Sequence, residues 1–170
     1  MAEPVTVRAS RPGPHWPLFV GLAAIVVVVD QLTKTWVVGS FTVGLPVEIV
    51  GDWLRIAITH NSGALFGMFR DSATLFAIFS ALVIGLIVAV HARAGRNLVL
   101  TVALGLLLGG ALGNFGDRVR LGYVVDFVDM GVGAWRFYTY NVADAAITTS
   151  ILTLIGMSLL PDLARRLNGE

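Results

Sequence analysis

The sequence predicts an all-α membrane protein: four transmembrane helices with a small extracytoplasmic β-hairpin, or cradle, between the first and second. Three observations predict it. Of 170 residues, 56% are hydrophobic and 14% charged, where soluble domains carry roughly 25% charged residues. Mean hydropathy is +0.80. Four apolar runs, 17–38, 73–90, 98–115 and 142–160, come close to or exceed the roughly 20 residues that cross a bilayer core of about 30 Å. So apolar a composition excludes a disordered chain. The absence of cysteine removes disulfides, thiolate nucleophiles and cysteine-metal sites. A net charge of +1 gives no electrostatic basis for binding nucleic acid.

Residues 1–15 hold Pro4, Pro12 and Pro14 with Arg8 and Arg11, and are expected to form a disordered tail on the basic, cytoplasmic side. The run 17–38 is expected to be a retained span rather than a cleaved leader, because no small-residue cleavage site follows it. Residues 16–161 then read as one integral membrane domain, and 162–170 as a second cytoplasmic tail.

Between the first two runs, Phe41, Val43, Leu45, Val47 and Ile49 alternate, as do Leu54, Ile56 and Ile58 after Gly51-Asp52. Period-two patterning around a turn signal predicts a β-hairpin. The next connection, 91–97, carries Arg93 and Arg96 and no acid. Basic residues divide six to six across the two faces. The purely basic short loop, set against mixed charge opposite, puts both termini in the cytoplasm. Gly85, Gly105, Gly109, Gly110 and Gly113 are expected to let the middle helices approach closely.

With four alternating spans, the ends of the first and third runs and the starts of the second and fourth share one face. Asp30 and Asn114 lie late in their runs, Asp144 lies early in its own, and Asn61 with Gly63 precedes the second. The polar residues therefore converge opposite the termini. Ionisable groups within spans mark function. Asp30 and Lys34 are spaced i, i+4 with the acid first, which suits a supporting ion pair. Asp117 beside Arg118 reads as a charge pair organising the mouth of the bundle. Asp52 and Asp71 read as loop acids, and Asp129 as a solvated one.

Asp126 and Asp144 have no adjacent basic residue. They are either separate buried hydrogen-bonding groups or a facing pair. Two carboxylates in a low-dielectric site share a proton, supplying the base and the acid that water attack on an amide requires. Rival chemistries have less behind them. His15, His60 and His91 lie in a tail and two connections without ligand spacing, so no metal is expected. Ser62 with Lys34, both near the same face, is a conceivable nucleophile–base pair that nothing in the local sequence supports. A small proton- or ion-coupled transporter using the same acids is the alternative from another class.

Asp30-Gln31 with Lys34, Asn61-Ser62-Gly63-Ala64, Gly113-Asn114 with Asp117-Arg118, Val124-Val125-Asp126-Phe127 and Tyr140-Asn141-Val142-Ala143-Asp144 stand in this order. Together they resemble the bacterial lipoprotein signal peptidases, the type II signal peptidases, from about Trp16 to Leu160. The resemblance implies an aspartic endopeptidase of the bacterial inner membrane. It would cut the signal peptide from a prolipoprotein just before a diacylglyceryl-modified cysteine, with its site near the extracytoplasmic face. It implies Asp126 and Asp144 as the catalytic pair and Asn61, Gly63, Asn114, Arg118 and Asn141 as substrate-binding or site-shaping residues. Asp30, Lys34 and Asp117 would support them, and the loop after Asp126 would close over substrate. It further implies no cofactor, a monomer, and inhibition by cyclic peptide antibiotics of the globomycin type. Tyr140, Leu65 and Gly67 depart from the usual pattern without touching a catalytic position.

Overall fold

Helix α1, Trp16–Ser40, opens with Pro17 in its first turn, where a missing N–H leaves nothing unsatisfied. It is followed by α2 (Ala73–Arg93), α3 (Leu98–Leu121) and α4 (Val142–Leu159). The computed structural model describes residues 13–63, 73–160 and 162. The tail arginines Arg8, Arg11, Arg165 and Arg166, and the 64–72 stretch with Asp71, lie outside the described residues. All four helices are long and apolar enough to cross a membrane.

Helix α3 is the centre of the bundle and packs against α1, α2 and α4. Half of its spanning segment is buried, whereas the other helices turn most of their residues outward. In lipid that outward apolar surface is the stable arrangement, and close contact depends on small residues. Gly105, Gly109 and Gly113 lie on α1 near Phe19, Ala23 and Asp30, so α1 and α3 run parallel. Gly110 lies on the backbone of Ala143, and Ser150 Oγ donates to Ala103 O at 2.7 Å, so α4 runs antiparallel to α3. Among the described residues, a Cβ at Gly85 or Gly116 meets nothing within 4 Å.

The hairpin is part of a larger sheet. Strands β1 (Val47–Val50), β2 (Leu54–Asn61), β3 (Val124–Val132) and β4 (Trp135–Arg136) are antiparallel neighbours in the order β1-β2-β3-β4. The expected first strand starts six residues late, at Val47 instead of Phe41. The stretch after Asp126, expected as a closing loop, is strand β3, with Asp126 inside it. Val37 of α1, Ile58, Val125 and Phe127 form a small core that seats the sheet on the bundle.

Helix α3 also runs six residues past Phe115, where the apolar run stops. Its last two turns carry Asp117, Arg118 and Arg120. Helix α2 reaches Arg93 and takes in His91, expected in a connection. That ring is fully buried, stacked on Phe19 at 3.9 Å with Trp16 edge-on at 4.7 Å.

Asp129 is not a solvated loop acid. It is 5% exposed, and it accepts from Arg55 Nη2 at 2.7 Å and Arg136 Nε at 2.7 Å. Asp52 joins the cluster through Arg55 and Arg136, so β2, β3 and β4 are tied together at one point. Burial pushes the Asp129 carboxyl up, but the hydrogen bonds from Arg136 and Arg55 outweigh it and hold it below the usual range. Because its folded value is depressed, its contribution to stability is present at neutral pH and is lost as pH falls through that value. Asp129→Ala leaves two half-buried guanidiniums without their partner. After discounting for their exposure we expect a loss of about 1–3 kcal/mol, read as a lower unfolding midpoint in detergent at pH 7.

Candidate active site

The polar residues meet where the C-terminal ends of α1 and α3, the N-terminal end of α4 and strands β2 and β3 converge. The first turn of α4 is a capping box: Asn141 Oδ1 accepts from Asp144 N at 2.9 Å, and Asp144 Oδ2 accepts from Asn141 N at 3.2 Å. Such a box satisfies two end donors reciprocally, and here it fixes the Asp144 carboxylate at a helix terminus. Asp126 comes from β3, paired with Thr59 of β2, two residues from Asn61.

Both carboxylates border one cleft of about 530 Å³, lined also by Thr59, Asn61, Gly63, Phe76 and Arg118. Each of their four oxygens accepts an N–H. Asp126 Oδ1 accepts from Asn141 Nδ2 at 2.7 Å and Oδ2 from Asn61 Nδ2 at 3.0 Å. Asp144 Oδ1 accepts from Asn114 Nδ2 at 2.7 Å, and Oδ2 takes the capping bond. Among the described residues neither carboxylate forms an ion pair. Burial, followed by the nearby Asp144 charge, pushes the Asp126 carboxyl up to about 6, against the pull of Asn61 and Asn141. Above the ordinary carboxylate value the folded protein therefore binds the extra proton. Its stability contribution from Asp126 declines as pH rises from about 4 to about 6.

Arg118 points its guanidinium into the cleft, 5.8 Å from the centroid of the Phe76 ring. Its Nη1 donates to Asn114 O at 3.3 Å, while the buried Nε has no hydrogen-bond partner among the described residues. Asp117 is not its partner, contrary to expectation. Asp117 pairs instead with Lys34 at 2.8 Å and Arg120 at 3.3 Å. Neighbours i, i+1 on a helix do not face each other, which is why the adjacent residues part company. Lys34 also pairs with Asp30 at 2.8 Å, so its ammonium is committed and is no base for Ser62. Gly63 belongs at the cleft wall, where a side chain would collide with the Phe76 ring.

The spacing had not singled out Thr59, Phe76 or Thr139 on the wall, nor Gln31 as a linker. Gln31 donates to Asp30 and Asp117 at 3.1 and 3.0 Å and accepts from Arg120 at 2.7 Å. The ring of Tyr140 lines the cleft, and its hydroxyl donates to Met130 Sδ at 2.9 Å. Trp36, Trp53, Trp135, Phe137 and Tyr138 are exposed.

Four spanning helices under a small sheet, with paired carboxylates in a cleft at one end of the bundle, define a helical membrane enzyme. Residues 22–160 match the family Peptidase_A8, Signal peptidase (SPase) II. Similar proteins include the lipoprotein signal peptidase of Staphylococcus aureus, 34% identical over 161 residues that span 92% of this chain and 98% of the relative. That of S. aureus strain MRSA252 matches equally. Two solved bacterial membrane enzymes, determined in meso at 2.3 and 1.9 Å, superpose with a TM-score of 0.80 at 32% identity. Each alignment covers 91% of this chain, with 94% and 99% of the respective structures. The chain belongs to the signal peptidase II family, and so to the membrane proteases that process lipoproteins.

Proposed function

We propose that the chain is an intramembrane aspartic endopeptidase that removes the signal peptide from diacylglyceryl-modified prolipoproteins, cutting on the N-terminal side of the lipidated cysteine. The observation that carries this reading is the pair Asp126 and Asp144 on one cleft, each oxygen supplied with an N–H donor and neither joined in an ion pair among the described residues. Family membership favours it over the transporter, which would use the same acids without cutting a bond.

The two carboxyls hold one proton between them. The ionised member takes a proton from a water held between the pair, and the oxygen of that water attacks the carbonyl carbon preceding the cysteine. The protonated member hydrogen-bonds the carbonyl oxygen as negative charge builds there. The C–N bond then breaks as a proton passes to the cysteine nitrogen, leaving a new carboxylate on the signal peptide and a free amine on the lipoprotein. The free donors of Arg118, together with Asn61, suit backbone carbonyls of an extended substrate. Because Asp126 titrates near 6 beside a charged Asp144, that step is the loss of the shared proton, and kcat/KM falls about tenfold per pH unit above about 6. A rate that keeps rising through pH 7 would contradict that assignment.

The reading also sets orientation: both termini in the cytoplasm, the cleft at the outer face of the inner membrane, and a monomer that substrate reaches sideways through the bilayer. The exposed apolar faces of α2 and α4 support such an approach. A precursor lacking the diacylglyceryl group is expected to be cleaved at least about 100-fold less efficiently, since its lipid supplies apolar binding energy. Equal kcat/KM for the two forms counts against the lipoprotein reading. Cyclic peptide antibiotics of the globomycin type are expected to block cleavage by the purified chain.

A further inference from the structure

Lys34 is the sole lysine of the chain and is 4% exposed. An ammonium has three donors and no acceptor, and three acceptors surround this one. They are Asp30 Oδ2 at 2.8 Å, Asp117 Oδ2 at 2.8 Å and Asn114 Oδ1 at 3.1 Å. Each leads on to a different part of the cleft. Asp30 Oδ1 accepts from the backbone N–H of Ala143 at 3.0 Å, the residue before Asp144. Asp117 Oδ2 accepts from the backbone N–H of Val125 at 3.3 Å, the residue before Asp126. Asn114, its carbonyl oxygen held by the ammonium at 3.1 Å and by Asn141 Nδ2 at 3.1 Å, turns its Nδ2 to Asp144 Oδ1 at 2.7 Å.

We propose that Lys34 is a positioning residue of this site: one buried ammonium, through Asp30 and Asp117, fixes the backbone before both carboxylates and, together with Asn141, sets which end of the Asn114 amide Asp144 meets. It touches neither carboxylate. Packing alone does not call for it, because Gly105, Gly109 and Gly113 already seat α3 on α1. A buried ion cluster is in any case a poor source of stability compared with apolar residues of similar volume. Its value lies in geometry, where a misplacement of about 1 Å reduces a rate on the order of 100-fold.

The charged groups around it are Asp30 on α1, Asp117, Arg118 and Arg120 on α3, Asp126 on β3 and Asp144 on α4. Removing the Lys34 cation from this set makes ionisation of Asp126 harder, as Lys34 draws its carboxyl down.

The proposal rests on the peptidase reading for its kinetic test and has a second test that needs no substrate. In nanodiscs, with wild type and Asp144→Asn as references, Lys34→Met is expected to lower kcat about 100-fold with KM within about threefold. The falling limb of its pH profile, set by loss of the shared proton, is expected to move to higher pH. Lys34→Arg keeps the charge but not the three-point geometry. It is expected to lose at least about tenfold in kcat, with the limb unmoved. Isotope-edited infrared titration of the aspartate carboxyls should show the same upward shift in Lys34→Met without substrate. That titration separates failure of this proposal from failure of the peptidase reading. A folded Lys34→Met with wild-type kcat and an unshifted titration overturns it, as does a loss residing wholly in KM. Failure of both variants to fold also overturns it, by assigning Lys34 to the fold.

Discussion

Asp126→Asn and Asp144→Asn each lower the rate of prolipoprotein cleavage by at least about 1,000-fold while the protein stays folded. The substitutions preserve shape, and an amide oxygen still accepts one of the N–H donors now on each carboxylate. At Asp144 the capping bond from Asn141 survives, and loss of the charge at the α4 N-terminus lowers stability by at most about 1 kcal/mol. What disappears is the titratable pair. With one carboxyl left, the site holds either a base or an acid but not both at once. The double variant should therefore be no slower than either single one, since groups acting as a unit are not additive. Retention of cleavage by either single variant would remove that residue from the chemistry. A double variant much slower than both would mean that the two act independently.

Gly110→Ala separates α4 from α3 and disables the site from about one helical turn, roughly 6 Å, along α3 from Asn114. A Cβ at Gly110 would lie 2.5 Å from Ala143 O, a backbone atom that no rotamer change relieves. Ala143 is the residue whose N–H Asp30 holds and whose successor is Asp144. Overpacking of this kind destabilises by about 1–3 kcal/mol, against roughly 1 kcal/mol regained from replacing a helical glycine. The net loss falls on the α3–α4 contact, so kcat should drop at least about tenfold through the broken Asn114–Asp144 geometry. Gly116→Ala is the control on the same helix. A Cβ there meets nothing within 4 Å, so the propensity gain stands alone and activity should hold. Equal behaviour of the two variants would show that the close approach at Gly110 does not govern the site.

The helices were legible because each apolar run reaches spanning length without help from context. The convergence of Asp30, Asn114, Asp144 and Asn61 followed from those lengths and the alternation of direction. The sheet was only half legible. Strands β1 and β2 announce themselves by alternation about a turn, but Tyr123-Val124-Val125-Asp126-Phe127-Val128 has no period of two, because β3 is buried on both faces around its acid. Its pairing with β2 joins residues some 65 apart in sequence, and no local signal reports that. The last turns of α3 were hidden because an apolar-run criterion stops at the first charge, whereas Asp117 is charged and still 1% exposed, its partner arriving from α1. The separation of Asp117 from Arg118 was available from helix spacing alone. The three asparagines on the carboxylates stood within the motifs, but which oxygen each one serves depends on the fold. The same holds for Asp129, whose arginine partners stand on β2 and β4.

The most direct measurement is the mass of both products when the purified chain is incubated with a diacylglyceryl-modified prolipoprotein, beside Asp126→Asn and Asp144→Asn. The wild type is predicted to give an intact signal peptide and a lipoprotein whose first residue is the lipidated cysteine, with both variants leaving the precursor whole. A precursor left uncut by the wild type, a cut elsewhere in the chain, or the same products from either variant would contradict the account.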